Sequence, residues 1–270
     1  MPELKGSLPN LHSAIRFMRP QHQKSVSFGL SCCKYDNVSR LKAFKKFDYL
    51  VVNGNLLQAY QYFHPYKTEI RHLMKFGNEV QTTVRQIAQK LFRDDTSHKL
   101  CVHTRVGDFK KHFLLESRLN FTNPAVQFVF EKLAEEYKDV SIVLLGLDTE
   151  FIDSIVIPSN ARYVYKPQNL TRYMDLHLGS TYCDSLLLTA SGSTFGFWIG
   201  YLMSEDKQNR IFYNIETAKR LSFGKNVYDY DSFPHKWNRL RLWSNGSIAH
   251  EPRWHFQIRA DEPGTLGGEI

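Results

Sequence analysis

The apolar residues of this chain alternate between two patterns. Short continuous runs occur at Phe47–Asn53, Leu100–Thr104, Ser141–Leu147, Ser185–Ala190 and Arg210–Asn214. All five read as strands, and the continuous run Ser141–Leu147 is typical of a parallel sheet covered on both faces. Between the runs, apolar residues recur at helical spacing. Val80, Val84, Ile87, Ala88 and Leu91 share one face of a helix predicted over 78–93. Asn123 as cap and Pro124 at the first helical position open a second helix that runs to about Tyr137. Segments 171–182 and 195–203 read as helices, and Arg162–Tyr165 as one more short strand. Residues 1–30 carry no distinct element, and the tail from Glu251, rich in Pro, Gly and charge, reads as loosely ordered. Strand and helix alternating at this spacing predict right-handed βαβ units, hence an α/β fold built on parallel sheet.

In open parallel sheets, ligands gather at the carboxyl ends of the strands. Three such ends carry polar groups here. The first is Arg105-Val106-Gly107-Asp108, preceded inside the strand by His103; the second is Asp148-Thr149; the third is Ser191-Gly192-Ser193-Thr194-Phe195-Gly196. In the third, a strand passes through small hydroxyl residues into a helix start, where free N–H groups and the helix dipole favour an anion. Ordinary capping of the helix by Ser193 or Thr194 explains the same residues. Arg105 at a sheet mouth is suited to hold a phosphate in a fork, and Gly107 permits close backbone approach. An Arg105–Asp108 salt bridge is the equal alternative. His103 reads as a core histidine or a ligand contact, and Asp148 as a ribose or base contact or a loop residue. No Walker motif, HExxH or cluster of metal-ligating carboxylates is present.

Composition narrows the picture. Hydrophobic content of 42% and charged content of 23% exclude a disordered chain, and 14% aromatic residues suit a sugar- or ligand-handling surface. Net charge is +8, but the basic residues are dispersed rather than striped, so no nucleic-acid module is indicated. Four cysteines are too few for a disulfide scaffold. Cys101 and Cys183 sit in apolar runs and read as buried free thiols, whereas Cys32-Cys33 reads as exposed. Four sequons, at Asn37, Asn120, Asn169 and Asn245, favour a secretory history and are candidate glycosylation sites. Asp184–Leu202 is strongly apolar but broken by Ser and Gly, so it reads as strand, loop and buried helix rather than a membrane span.

These residues together resemble one family. His103-Thr104-Arg105-Val106-Gly107-Asp108 is similar to the H-x-R-R-G-D stretch of the inverting α1,2-fucosyltransferases, glycosyltransferase family 11. Ser193–Leu202 resembles the family's late S-T/S-F-G-x-W-x-A-Y-L block, and Gly54–Phe63 its G-Y-x-Q-S-x-x-Y-F segment. The blocks occur in family order, and the chain most resembles the divergent nematode members. The resemblance implies two Rossmann-like domains of the GT-B type, divided here as 1–97, on the acceptor side, and 98–250, which binds the nucleotide sugar, followed by the tail 251–270. It implies GDP-fucose as donor, no metal or other cofactor, and a galactose-terminated glycan as acceptor. No nucleic-acid partner is implied. The implied setting is the Golgi lumen, with membrane attachment through an anchor this sequence does not carry. Arg105 would neutralise the departing diphosphate. Gly107, Ser191, Ser193, Thr194 and Phe195 would lie at the donor, and His103 and Asp148 near the guanosine. Asp108 would act as base or as support. Two departures stand out: Val106 replaces the motif's second arginine, and the family's opening G-x-G-N stretch has no counterpart, so the N-terminal domain reads as incomplete. A catalytically inactive sugar-nucleotide or glycan-binding module is the alternative.

Overall fold

The structure, a computed structural model, describes residues 2–16, 22–31, 33–54, 57–109, 114–217 and 229–262. Helices α1 (Pro2–Ser7) and α2 (Pro9–Ala14) come first, where the sequence carried no distinct element. Strands β1 (Gln23–Ser27) and β2 (Tyr49–Asn53) form a two-stranded parallel sheet with Gln23 opposite Tyr49. Helices α3 (Lys67–Leu73) and α4 (Asn78–Phe92) lead to β3 (His98–His103). Then follow α5 (Leu119–Ala134), β4 (Val140–Leu145), α6 (Thr149–Asp153), β5 (Val164–Tyr165) and α7 (Arg172–Tyr182). After them come β6 (Ser185–Leu188), α8 (Thr194–Leu202), β7 (Ile211–Asn214), α9 (Asp229–Ser232), β8 (Asn238–Leu242), β9 (Ile248–His250) and α10 (His255–Asp261).

The main sheet has seven strands in the order β5-β4-β3-β6-β7-β8-β9, parallel except for the final β8–β9 hairpin. The chain begins at β3, winds outward through β4 and β5, and returns to lay β6, β7 and β8 on the other side of β3. This is the doubly wound order of dinucleotide-binding sheets, and the direction of winding reverses between β3 and β6. The sheet is covered on both faces, which is why its central strands carry apolar runs. Leu100 and Val102 of β3 face the layer formed by α5, with Phe121, Val126, Val129 and Phe130. Cys101 faces the opposite layer, where Val84 and Ala88 of α4 pack with Leu178 of α7 and Ile199 of α8.

Four expectations are corrected. Cys101 and Cys183 are not free thiols but a disulfide, with Cα atoms 5.7 Å apart. Parallel pairing of β3 with β6 sets Leu100 beside Ser185 and so brings Cys183, just before β6, alongside β3 and within reach of Cys101. Cys33 is buried rather than exposed, and Cys32 lies outside the described residues. Helix α5 starts at Leu119, with Pro124 inside it, because the extra turn buries Phe121 against the sheet. Asn123 does not cap this helix; its side chain accepts from the Val156 N–H at 3.1 Å. The tail is ordered through residue 262: Arg241, buried, pairs with Glu251 at 3.1 Å and Glu262 at 2.7 Å, and Arg253 bridges both glutamates at 2.9 Å. Its charges are complementary partners. Residues 263–270 lie outside the described residues.

Residues 184–202 form β6, a turn and α8, as expected, and no helix among the described residues is long and apolar enough to cross a membrane. One turn is strained. After α4, the Asp95 N–H closes on the Phe92 carbonyl at 2.8 Å, with Arg93 at φ 47°, ψ −119°. That corner favours glycine, and holding another residue there costs about 1–3 kcal/mol.

Candidate active site

The carboxyl ends of β3, β4 and β6 open into one cleft of about 1270 Å³. His103, Arg105, Asp108, Asp148, Ser191, Ser193, Thr194 and Phe195 all line it, so residues read separately along the chain share one concavity. The cleft stands at the reversal of strand order, where neighbouring connections leave in opposite directions and open a crevice.

The Arg105 loop is built by hydroxyl groups beneath it. The Arg105 N–H donates to Ser117 Oγ at 2.9 Å, and the Ser117 N–H returns a bond to the Arg105 carbonyl at 2.8 Å. Ser117 Oγ is 2.6 Å from Thr189 Oγ1, which donates to the His103 carbonyl at 2.9 Å. Ser117 and Thr189 are both buried, so the ends of β3 and β6 are locked together by a dry hydroxyl pair. Gly107 lies at φ +105°, where a side chain would strain the backbone although space is open, and its N–H donates to Glu116 at 3.1 Å. Gly107 thus shapes the loop.

Arg105 is directed at the lip of the cleft and engages Asp108 in a fork, Nε to Oδ1 at 2.9 Å and Nη2 to Oδ2 at 2.5 Å. The salt-bridge alternative is therefore realised in the structure. Its side chains are 36% and 50% exposed, so the pair is solvated and readily exchanged for a better anion. Across the cleft, Ser193 caps α8 by accepting from the Gly196 N–H at 3.2 Å. The N–H groups of Thr194 and Phe195 precede the first intrahelical bond and have no protein acceptor among the described residues, and the Thr194 side chain is exposed. Capping by Ser193 uses a different group of the same turn and leaves these N–H donors available to an anion.

The remaining expected residues fall into two classes. Ser191 is buried and its hydroxyl donates to the Leu188 carbonyl at 3.3 Å, so it serves the turn. Asp148 caps α6 through Oδ1, which accepts from the Phe151 N–H at 2.8 Å. His103 is buried with Nδ1 unpartnered, packed against Gly196 and 5.9 Å from the Phe195 ring. Burial, with the Arg105 charge beside it, lowers its pKa to about 4, so the ring is neutral at physiological pH.

Sequence reasoning missed Asp175, on α7. It lines the cleft, its carboxyl has no hydrogen-bond or ion-pair partner among the described residues, and burial pushes that carboxyl up to about 6. It lies in the first turn of α7, where an acidic residue reads as an ordinary complement to the helix dipole. Phe63, Phe197 and Trp198 also line the cleft; Phe63 and Trp198 stack at 5.5 Å. They belong to the segments Gly54–Phe63 and Ser193–Leu202 that carry the family resemblance in the sequence. Of the sequon asparagines, Asn37, Asn169 and Asn245 are exposed outside helices and strands; Asn120 is exposed but lies within α5, with its partner Thr122 fully buried.

No protein-family model matches the chain. Among curated proteins it is similar to a putative galactoside 2-alpha-L-fucosyltransferase of Caenorhabditis elegans, 29% identical over 262 residues that span 92% of this chain and 69% of the relative. A galactoside 2-alpha-L-fucosyltransferase of the same nematode is 29% identical over 224 residues, 81% of this chain and 60% of that protein. Among solved structures, Arabidopsis thaliana FUT1 in complex with GDP superposes with a TM-score of 0.46 and 11% identity over 91% of this chain and 57% of that one. NodZ alpha-1,6-fucosyltransferase soaked with GDP-fucose gives 0.41 and 10% over 76% and 58%. The sheet order itself defines the fold. With the H-x-R-x-G-D loop and the Ser-Thr-Phe-Gly turn on one cleft, the chain is similar to the galactoside 2-alpha-L-fucosyltransferases, and so to glycosyltransferase family 11.

Proposed function

We propose that the chain binds GDP-fucose in this cleft and transfers L-fucose, with inversion, to the 2-hydroxyl of a terminal galactoside. The observation that carries the reading is convergence: the Arg105 guanidinium and the N-terminus of α8 face one cleft from neighbouring strands β3 and β6. A diphosphate is the ligand that satisfies both at once. It displaces Asp108 from the Arg105 fork and takes the N–H groups of Thr194 and Phe195, with the Ser193 and Thr194 hydroxyls beside them. Asp175 and Asp148 line the same cleft, whose walls also include Leu147, Leu170 and Ile199. A carboxylate there is the natural partner for the two N–H donors on the edge of guanine. In the reaction, the acceptor oxygen bonds to C1 of fucose as C1 separates from the β-phosphate oxygen, which departs with the electron pair. Arg105 and the helix terminus stabilise the charge that builds on GDP, the role a metal plays in other transferases. The acceptor's proton leaves to a base, and Asp108 at the lip is the candidate. The buried Cys101–Cys183 disulfide supports maturation in an oxidising compartment, consistent with a lumenal, Golgi setting.

One observation favours a second reading, binding without turnover: Val106 leaves a single arginine in the loop, and that arginine is held by Asp108. Calorimetric titration with GDP, GDP-fucose and UDP, followed by assay of GDP release in the presence of galactosides, separates the two. Binding with release supports transfer, binding without release selects the module, and no GDP binding at millimolar concentration defeats both. The chain spans 69% or less of the curated relatives it matches, so the assay also tests whether this length suffices.

A further inference from the structure

A second concavity, sharing no lining residue with the donor cleft, lies at the open edge of the main sheet. It has a volume of about 830 Å³ and is bounded by the last turn of α4, the turn at 93–95, and residues 162–168 around edge strand β5. Its cations are Lys90, Arg93, Arg162 and Lys166, set around Tyr163 and Tyr165. Its carboxylates are Asp94 and Asp95. Asp95 is taken up internally: it accepts from the Ser97 N–H at 2.9 Å, Ser141 Oγ at 3.1 Å and Tyr165 Oη at 2.9 Å, and pairs with Lys99 at 3.5 Å. Within the lining, four cations stand beside one outward carboxylate, and two of the four, Arg162 and Lys166, have carboxylates just outside it. Arg162 and Lys166 reach Asp139 and Asp153 at 3.3 and 2.6 Å in exposed, exchangeable pairs, while Lys90 and Arg93 have no ion-pair partner among the described residues.

Two further features separate the groove from an ordinary solvated face. Tyr163 is 46% exposed, with the Arg162 guanidinium 5.5 Å from its ring centroid, so an aromatic face lies within the charged wall. Arg93 occupies the backbone corner that favours glycine, φ 47° and ψ −119°. Backbone strain of this kind collects at ligand sites, where the side chain is needed despite it. We propose that the groove binds a sulfated or carboxylated saccharide, whose anionic groups meet Lys90, Arg93, Arg162 and Lys166 while a sugar ring lies on Tyr163. The volume suits a short oligosaccharide rather than a polymer tract. A nucleic acid would need a continuous basic stripe, which Asp139 and Asp153 interrupt. The proposal stands independently of the donor cleft.

Calorimetry with a heparin-derived sulfated tetrasaccharide, its desulfated counterpart and inorganic pyrophosphate tests it. The sulfated tetrasaccharide is expected to bind saturably, one to one, and the other two at least about tenfold more weakly. Lys90→Gln with Arg93→Gly is expected to lower its affinity about tenfold, while Lys45→Gln with Lys46→Gln, exposed cations outside the groove, leaves it unchanged. Arg93→Gly alone is expected to weaken binding yet melt no lower than the parent, because glycine relieves the turn. Equal losses in the two double variants, unchanged affinity in Arg93→Gly, or equal binding of the desulfated sugar or of pyrophosphate would each overturn the assignment.

Discussion

The two ends of β3 each carry a buried histidine and use it in opposite ways. Burial lowers the pKa of His98 and of His103 alike, so both rings are neutral. At the amino end every polar group nearby is matched. His98 Nε2 lies 2.8 Å from Ser185 Oγ, and the ring stacks on Tyr137 at 3.9 Å. Ser97 donates to Ser141 at 2.6 Å, and the Lys99 ammonium donates to the Asp95 and Ser97 carbonyls at 2.8 and 2.9 Å. At the carboxyl end, His103 Nδ1, the Asp175 carboxyl and the first N–H groups of α8 have no partner among the described residues. These groups open onto one concavity, where a ligand would take them up. The difference follows from topology. Strands enter the sheet beside one another at the amino ends, and their polar groups meet. At the carboxyl ends the connections diverge at the β3–β6 reversal and leave a gap.

Breaking the middle of the strand tests whether the two ends are separable. Cys101 sits between the histidines and closes a loop of 82 residues with Cys183. The double variant Cys101→Ala, Cys183→Ala should lose about 4 kcal/mol in urea denaturation. Its folded fraction should still bind GDP within about twofold of the parent. Collapse of affinity along with stability would mean that the carboxyl end depends on the bridge. Breaking the open end should do the reverse. Arg105→Ala removes the charged fork from the phosphate and leaves Asp108 to repel it, so GDP affinity should fall about a hundredfold, or about 2.7 kcal/mol. The denaturation midpoint should stay put, since a solvated pair contributes little to stability. Unchanged GDP affinity would remove Arg105 from the site. Breaking the closed end is the converse control. His98→Ala leaves a void beside Tyr137 and an orphaned Ser185 hydroxyl, which should lower stability by about 2 kcal/mol while GDP titrations overlay those of the parent. A shift in GDP affinity there would show that the ends are coupled.

The contrast also explains what could be read from the sequence. Strands β3, β4 and β6 were legible because every residue in them is buried, which leaves an apolar run at the centre of each; β3 was read only from Leu100, since His98 and Lys99 are buried yet polar. The three polar strand ends followed, since a parallel sheet dictates where ligands bind. Strands β8 and β9 were not legible. Arg239 and Arg241 interrupt the apolar pattern of β8, yet both are buried, Arg239 donating to the Glu251 and Pro252 carbonyls and Arg241 paired to glutamates from the following segment. The disulfide was hidden for a related reason: its cysteines become neighbours only once β6 is known to lie beside β3 rather than beyond β5. Asp175 was hidden differently: in the first turn of α7 it reads as an ordinary complement to the helix dipole.

Asp175 provides the finest test of the open end. Burial raises its carboxyl from 3.8 to about 6, so the fold disfavours its charged form. The stability this proton linkage contributes is full below about 3.8 and is lost as pH rises to about 6, and it is flat above. A ligand that donates hydrogen bonds to the carboxylate has the opposite preference and binds better once the proton has left. GDP affinity should therefore rise about tenfold from pH 5 to pH 7, with a proton released on binding below pH 6. His103, lowered to about 4, stays neutral across that window and adds nothing. Asp229, also raised to about 6, lies outside the cleft, with its Oδ1 on the Tyr230 and His255 N–H groups, so it affects stability and not affinity. GDP's own terminal phosphate titrates nearby, so the decisive quantity is the difference between the parent and Asp175→Asn. The variant should lose the carboxylate's share and show a flatter affinity profile. UDP, whose base presents a different edge, should titrate alike in both proteins. Parallel GDP profiles in the two would place the base elsewhere and leave Asp175 a buried acid without a ligand role.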